Sequence, residues 1–105
     1  MRKTVLCAVA AILTIGTAHA RAADASAGKA MFENSCAQCH GKQGQGMASF
    51  PSLKGNEADY IESRLETYRA GEKVGANSGL MIPNAKDLSD DDIANLAAYI
   101  SSEFQ

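Results

Sequence analysis

The residues of this sequence that could carry chemistry are concentrated in the run Cys36-Ala37-Gln38-Cys39-His40. Two thiols separated by two residues and followed by an imidazole form Cys-x-x-Cys-His, the attachment pattern of c-type haem. Thiols about one helical turn apart can each add to a vinyl group of the same porphyrin, and His40 can then ligate the iron from one side. The motif therefore predicts one haem c per chain, linked through Cys36 and Cys39, with His40 as the proximal ligand.

Three other kinds of site could use the same residues. A disulfide between Cys36 and Cys39 fits an oxidising compartment, although it would close only a very small loop. Zinc needs four ligands, and the adjacent Cys39 and His40 are poorly placed to share one tetrahedral ion. A thioredoxin-like dithiol is expected after a strand of a βαβ unit, whereas this motif follows an amphipathic helix. The pattern favours haem, with a redox-active or structural disulfide as the main alternative.

The ligand on the opposite side of the iron determines what such a haem can do. After residue 20, His40 is the only histidine, which excludes a second histidine from the same chain. Met31, Met47, Met81 and an open position remain. Met31 and Met47 lie close to the motif in the sequence, so we expect both to stay on the proximal side. Met81 follows His40 by 41 residues, enough chain to reach the other face, and we predict that Met81 is the sixth ligand.

The first twenty residues have the features of an export signal. Two basic residues at positions 2 and 3 precede a nearly uncharged run at 4–18, and Ala18-His19-Ala20 matches a small-x-small cleavage site. The run is short for a membrane-spanning helix, which needs about 20 apolar residues. We predict a cleaved signal peptide at residues 1–20 and a periplasmic or equivalent lumenal location. Cleavage after Ala22 and a retained signal anchor are the alternatives.

Residues 21–105 are enough for one small domain. The full chain has 105 residues, 46% of them apolar, and loss of Arg2 and Lys3 with the signal leaves 8 basic against 12 acidic side chains, a net charge of -4. An acidic chain does not attract a polyanion, so we expect no nucleic-acid partner, and no stable membrane insertion after signal cleavage. So small a domain usually needs an additional stabilising cross-link, such as a disulfide or a metal, and a covalently bound cofactor would supply one.

Three helical stretches are predicted to position the motif and Met81. The first runs over residues 27–38 with Ser26 as N-cap, near Asp24. Its expected inward stripe contains Ala27, Met31 and Ser35, with Ala30 and Phe32 on either side of it. The second begins at Asn56 as N-cap and ends near Gly71. The third follows a capping box at residues 89–92, with a hydrophobic staple just before it. No alternating strand pattern of useful length occurs, so we predict an all-α fold.

Two glycine-rich loops connect these helices. The first covers residues 41–55, and the second contains Gly75, Gly79 and Pro83 around Met81. Because glycine and proline disfavour helix, we expect Met81 to be presented by a non-helical backbone. Residues 71–80 receive no assigned role.

The ordered combination of these features resembles the class I cytochromes c, in particular the short monohaem branch of bacterial periplasms. The resemblance covers residues 28–104 and is carried by four segments: Gly28-Lys29-Ala30-Met31-Phe32 with the haem motif, Phe50-Pro51-Ser52-Leu53-Lys54-Gly55, Met81-Ile82-Pro83, and Leu88-Ser89-Asp90-Asp91-Asp92-Ile93 with Leu96-Ala97-Ala98-Tyr99-Ile100. It implies the class I cytochrome c fold, with three main helices and Gly-rich loops wrapped round one covalently bound haem.

The resemblance also implies particular contacts. Gly28 would permit a close helix crossing, and Phe32 would pack against the last helix near Leu96 and Tyr99. The Pro51 carbonyl would accept a hydrogen bond from Nδ1 of His40, which fixes the tautomer and makes the ligand more basic.

The implied function is that of a soluble one-electron carrier with His/Met ligation that serves transient redox protein partners as a monomer. Six-coordinate iron has no vacancy for a substrate, so no enzymatic activity is expected from this chain alone. An electron-transfer subunit of a larger periplasmic oxidoreductase and a five-coordinate gas-binding haem protein are the alternatives. Four lysines could form a local docking patch or could be scattered over the surface, namely Lys42, Lys54, Lys73 and Lys86.

Overall fold

The computed structural model describes residues 22–105, which form four helices and contain no strand, apart from one isolated bridge between Met47 and Phe50. The helices are α1 at residues 25–40, α2 at Ala58–Arg69, α3 at Ser78–Ala85 and α4 at Asp90–Glu103. The all-α prediction is confirmed, and α3 is an addition to the three expected helices. The predicted signal peptide, residues 1–20, lies outside the described residues.

Helix α1 changes its hydrogen-bond pattern along its length. It is α-helical over Ala25–Met31, π-helical over Phe32–Cys36 and α-helical again over Ala37–His40. Short π segments inside α-helices often occur at functional sites because they shift the angular register of the side chains that follow. The π-helical segment ends at Cys36, the first cysteine of the haem motif, and the α-helical turn that follows it ends at His40.

The start of α1 differs from the prediction. The N-cap is Asp24 and not Ser26: the Asp24 carboxylate accepts hydrogen bonds from the backbone N–H of Ser26 at 2.9 Å and of Ala27 at 3.2 Å. The Asp24 backbone N–H also donates to Oδ1 of Asn95 at 2.7 Å, which ties the start of α1 to α4. Asp24 therefore caps the helix and docks it at the same time.

The buried face of α1 is centred on Gly28 and Phe32, whereas Ala27 and Ser35 of the predicted stripe are exposed and Met31 is half-buried. The reason is the close crossing with α4, where any Cβ at position 28 would clash with the carbonyl oxygen of Asn95. The expectation that Gly28 permits this crossing is confirmed. The stripe is wrong because this backbone contact fixes the rotation of α1.

The core lies where α1, α2 and α4 meet. Its central side chain is Phe32, whose ring centroid lies 5.6 Å from that of Tyr99 and 5.1 Å from that of Phe104, so the predicted packing of Phe32 on the last helix is confirmed. Aliphatic residues of α2 and α4 complete the buried cluster, namely Ile61, Leu65, Ile93, Leu96, Ala97 and Ile100. Full burial of a large apolar side chain contributes about 1.5–3 kcal/mol, so each large member of this cluster stabilises the fold.

Helix α2 begins one residue later than predicted. Its N-cap is Glu57, and the Asn56 side chain instead donates to the Leu53 carbonyl at 3.3 Å, bracing the preceding loop. The helix ends at Arg69, with Gly71 at φ +81° just beyond, as expected for a glycine terminator.

The expectation that Met81 lies in a non-helical backbone is wrong, because Met81 is part of helix α3. Ser78–Ala85 is helical with Pro83 inside it. A proline in the second turn removes only the bond to the Gly79 carbonyl, and both residues are exposed, so water can satisfy that carbonyl. The buried Ala85 and half-buried Met81 hold the helix against the rest of the domain.

Helix α4 starts as predicted. Ser89 Oγ accepts from the Asp92 backbone N–H at 3.0 Å, and the Asp92 carboxylate accepts from the Ser89 backbone N–H at 3.0 Å. Both halves of the capping box are therefore present. Leu88, just before the cap, packs against the same core cluster that contains Ile93. Within residues 22–105, none of the helices combines the length and apolar character needed to cross a membrane.

Candidate functional site

His40 is the last residue of α1 and is 93% shielded, with a relative exposure of 7%. Its Nδ1 lies 2.9 Å from the Pro51 carbonyl oxygen. Proline has only an acceptor on its backbone, so Nδ1 carries the proton and donates it. This leaves Nε2 with a free lone pair, which is the state in which imidazole binds a metal. The structure thus contains the hydrogen bond that the resemblance implied.

The loop that presents Pro51 is fastened to the end of α1. The Gly46 N–H donates to the His40 carbonyl at 2.7 Å, and the Leu53 N–H donates to the Gly44 carbonyl at 2.7 Å. Gly46 adopts φ +75°, and a Cβ there would lie 2.6 Å from the Phe50 carbonyl oxygen. Only glycine tolerates both conditions, so Gly46 is needed to bring Pro51 to the histidine.

The same loop is anchored to the C-terminus. The Gly55 N–H donates to the Phe104 carbonyl at 2.8 Å, and Phe104 is buried beside Phe32 in the core. The position of His40 is therefore defined by its own helix, by the loop and by the hydrophobic core.

The two cysteines lie near the C-terminal end of α1, which ends at His40, and both are free thiols in the structure. Cys36 is half-buried and Cys39 is exposed. Burial, with a smaller contribution from the charge of Cys39, raises the pKa of Cys36 to about 11, so this thiol is protonated at neutral pH.

A cavity of about 350 Å³ opens between α2, α3 and the loop at residues 41–55, and both His40 and Met81 line it. Its apolar wall is built from core residues, namely Ile61, Leu65, Leu96 and Ile100. A smaller adjoining cavity of about 60 Å³ is also lined by His40 and Met81, together with Cys36 and Cys39. All five predicted site residues therefore line the smaller cavity, and all of them except Cys39 also line the larger one.

Among the three candidate methionines, Met81 alone lines these cavities. Met31 packs against the hydrophobic core, and Met47 is 48% exposed beside the isolated bridge. The interpretation of Met31 and Met47 as packing or loop residues agrees with these positions. Met81 is half-buried, and its thioether is a soft ligand suited to haem iron.

The donor set fits a porphyrin better than a bare metal ion. Within residues 22–105, no group of three or more His, Cys, Asp or Glu side chains is placed to hold a metal. Zinc would require such a group. An apolar wall, one imidazole, one thioether and two thiols at the rim instead match the chemistry of a covalently attached haem.

A family model described as cytochrome c matches residues 25–103, nearly all of the described chain. The chain belongs to the cytochrome c family. It is 48% identical over 83 residues to cytochrome c-554(548) of Halomonas halodenitrificans, covering 78% of this chain and 99% of that protein. It is 40% identical over 89 residues to cytochrome c-554(547) of Halothiobacillus neapolitanus, covering 77% of this chain and 98% of that protein.

A solved structure has the same architecture. Cytochrome c4 of Acidithiobacillus ferrooxidans superposes with a TM-score of 0.66 at 34% identity, covering 81% of this chain and 52% of that one. The chain therefore corresponds to about half of that cytochrome c4. Within this family the Cys36–Cys39–His40 motif gives the chain one covalent haem c. The protein is an electron-carrier cytochrome, and it matches two small cytochromes over nearly their whole length.

Several residues of the cavity wall were not predicted from the sequence. Ser78, at the start of α3, is 4% exposed and accepts hydrogen bonds from the backbone N–H of Val74 and Gly75, both at 2.9 Å. It therefore gives residues 71–80 a structural role. Tyr60 and Arg64 on α2 also line the cavity, and their spacing of four residues was the available signal that they share a helical face.

Proposed function

We propose that this cytochrome holds its haem iron between His40 and Met81 and exchanges single electrons with transient protein partners in the periplasm. The observation that supports the proposal is the convergence of both side chains on the same two cavities. When bound, the haem supplies one-electron chemistry: its iron passes between Fe(III) and Fe(II) as a partner protein is oxidised or reduced by one electron.

The residues of the chain have separate tasks in this proposal. Cys36 and Cys39 hold the porphyrin through thioether bonds, so the cofactor cannot be lost after export. His40 ligates the iron through Nε2, and the hydrogen bond from Nδ1 to Pro51 fixes the ring orientation and increases the basicity of the ligand. Met81 supplies a sulfur ligand that favours the ferrous state and raises the reduction potential.

The location and the partners follow from the sequence and the surface. The predicted signal peptide supports a periplasmic location, with cleavage leaving residues 21–105 as a monomeric domain. Four exposed lysines are available for docking to an acidic partner, namely Lys42, Lys54, Lys73 and Lys86. Electron-transfer contacts are small and short-lived, and charge governs the rate of encounter more than the affinity.

The experiment that tests the ligand assignment compares Met81→Ala with Met47→Ala. Met81→Ala should retain the covalent haem, shown by the mass of the purified protein, and should lose the low-spin absorption spectrum, bind CO rapidly and lower the reduction potential. Met47→Ala removes the same side chain from an exposed position outside the cavities and should leave the mass, the spectrum, the CO binding and the reduction potential unchanged.

Three results would contradict the proposal. A low-spin spectrum that survives Met81→Ala would remove Met81 as a ligand. A wild-type ferrous spectrum that is five-coordinate, with rapid CO binding, would favour a gas-binding protein. Stable co-purification with a catalytic partner would favour a subunit of a larger oxidoreductase over a diffusing carrier.

A further inference from the structure

Two segments of this chain carry no charged side chain, although 21% of the whole sequence is charged. The segments are residues 43–53 and 74–85, and every Lys, Arg, Asp and Glu of residues 21–105 lies outside them. A lysine immediately precedes and follows each segment, namely Lys42, Lys54, Lys73 and Lys86. The charges of the domain are therefore kept off two defined parts of its sequence.

The fold brings these two segments together at the mouth of the smaller cavity. The Asn77 side chain of the second segment donates a hydrogen bond to the Ser49 carbonyl of the first at 3.5 Å. Phe50 of the first segment and Leu80 of the second both line the cavity. None of the described residues that line it is Lys, Arg, Asp or Glu. The two segments therefore form one surface around this cavity, and we call it the uncharged face.

The uncharged face also carries exposed apolar side chains. Met47, Val74 and Leu80 are large hydrophobic residues that lie exposed on it. Met47 is joined by the isolated bridge to a residue of the cavity wall. The fourth exposed large hydrophobic residue within residues 22–105 is Tyr60, which lines the larger cavity. Single exposed apolar residues are ordinary, whereas a group of them around a cavity is typical of an interaction site.

We propose that redox partner proteins dock on the uncharged face, and that such a partner presents an uncharged, apolar surface of its own. This inference rests on the proposed function, because it places the partner beside the cavity that the haem would occupy. A charged partner side chain pressed against this face would lose its hydration without gaining an ion pair, which is unfavourable. An apolar partner surface instead gains free energy as water leaves both surfaces.

The position of the face suits electron exchange. Cys36 and Cys39, which hold the porphyrin in the proposed function, also line the smaller cavity. A partner on the uncharged face therefore lies beside the attachment site. The lysines at the ends of the two segments act at longer range: their charge influences the rate of encounter with an acidic partner, but they are not part of the face.

The experiment uses a second copy of the holoprotein as the partner, because each copy presents such a face. Ferrous and ferric protein are mixed, and the rate at which one electron passes from the ferrous to the ferric copy is measured by NMR exchange broadening. Both copies have the same reduction potential, so the rate of a variant does not change merely because its potential changes. The measurements run from about 0.01 M to about 1 M ionic strength, over which the Debye length falls from about 30 Å to about 3 Å.

Three variants add one positive charge each. Leu80→Lys and Met47→Lys place it on the uncharged face, and Ser63→Lys places it at an exposed position on α2 that lines neither cavity. Each variant changes the net charge of residues 21–105 from -4 to -3, so the long-range repulsion between copies falls equally in all three. At high ionic strength, where this repulsion is screened, Leu80→Lys and Met47→Lys should exchange electrons at least about tenfold more slowly than the wild-type protein. Ser63→Lys should match the wild-type rate.

Equal rates at high ionic strength for the wild-type protein and all three variants would overturn the docking face. A loss of rate in Ser63→Lys as large as that in Met47→Lys would overturn it too. Sedimentation of the wild-type protein as a stable dimer would have the same consequence, because a second copy would then cover the face permanently.

The mass and the low-spin spectrum of each protein are recorded before the exchange rates. A wild-type protein that lacks either of them contradicts the proposed function itself. If Leu80→Lys disturbs the neighbouring Met81 and alters the spectrum, Met47→Lys decides the outcome, since Met47 lines neither cavity. Failure of the rate comparison in proteins with intact spectra contradicts only the docking role of the uncharged face.

Discussion

The two sides of the haem cavity are built in different ways. His40 ends a helix that is docked on the core through Gly28 and Phe32, and its ring is fixed by Pro51. Met81 lies on the eight-residue helix α3, which contains a proline and whose first residue, Ser78, accepts hydrogen bonds from the turn just before the helix. The histidine side is thus defined by long-range packing, and the methionine side mainly by local contacts.

The surroundings of the two ligands differ in the same sense. The loop that supports His40 is tied to the C-terminus through the bond from Gly55 to Phe104. On the other side, Val74 and Leu80 are 45% and 55% exposed, and a long hydrogen bond of 3.5 Å from Asn77 to the Ser49 carbonyl links this segment to the opposite loop. Segments with few buried contacts open with less free energy than the core. We therefore expect that, as the protein unfolds, the proposed Met81 ligand leaves the iron before the structure around His40 is lost.

The largest effect is expected on the histidine side, from Gly46→Ala. The new Cβ would combine a left-handed backbone at φ +75° with a backbone contact of 2.6 Å, so the loop must move. Strain of this kind costs about 1–3 kcal/mol, or more where the backbone cannot relax. Chemical denaturation of the holoprotein should give a lower unfolding free energy, and the reduction potential should change because the Pro51 bond to His40 is disturbed.

The control for this prediction is Gly79→Ala, on the methionine side. Nothing lies within 4 Å of a Cβ at position 79, and the backbone there is helical, so the variant should match or exceed the wild-type stability. If Gly46→Ala and Gly79→Ala lowered the unfolding free energy equally, the contrast between the histidine side and the methionine side would be wrong.

A smaller and more local effect is expected from Ser78→Ala. The Ser78 hydroxyl accepts hydrogen bonds from the Val74 and Gly75 backbone N–H groups in the turn before α3, and loss of such hydrogen bonds costs about 1 kcal/mol. Because α3 carries Met81, the low-spin spectrum should be lost at a lower denaturant concentration, while the main unfolding transition shifts much less.

Ser89→Ala makes the same chemical change at the N-cap of α4, which packs on the core. This variant should shift the main unfolding transition to a lower denaturant concentration. The interval between the loss of the low-spin spectrum and this main transition should stay the same or become smaller. If Ser78→Ala and Ser89→Ala moved both transitions equally, the two sides would belong to one cooperative unit.

The smallest effect is expected from Tyr99, on the free energy of unfolding at alkaline pH. Burial, followed by the charges of Glu103 and Glu33, raises the pKa of Tyr99 above its ordinary value of 10.0. Above about pH 10 the unfolded chain loses this proton while the folded protein retains it, so the free energy of unfolding falls as the pH rises through the window between the two pKa values. Tyr99→Phe should weaken this decline, measured by denaturation at successive pH values, without altering Met81 ligation. An unchanged slope would contradict the assignment of this effect to Tyr99.

The sequence predicted those features that depend on local patterns. The capping box at Ser89 and Asp92 requires only four consecutive residues, and the spacing of the haem motif is equally local. The resemblance to a known family supplied the longer contacts, namely the crossing at Gly28, the packing of Phe32 and the bond from His40 to Pro51.

The features that were missed depend on tertiary contacts. Asp24 replaces Ser26 as the cap because Asn95 of α4 also binds its backbone. Helix α3 forms in spite of Gly79 and Pro83, because Ser78 ties its start to the preceding turn and Ala85 is fully buried. The position of Arg64 in the cavity wall depends on how α2 is rotated against α4, which no local pattern specifies.

In the proposed ligation, His40 and Met81 hold the haem from sides of unequal stability. A denaturant titration of the ferric holoprotein tests it most directly, with the low-spin absorption of the methionine-ligated iron and the far-ultraviolet circular dichroism recorded on the same samples. We predict that the low-spin signal is lost at a lower denaturant concentration than the helical signal. Coincident transitions, or loss of helix before loss of the low-spin signal, would contradict the account.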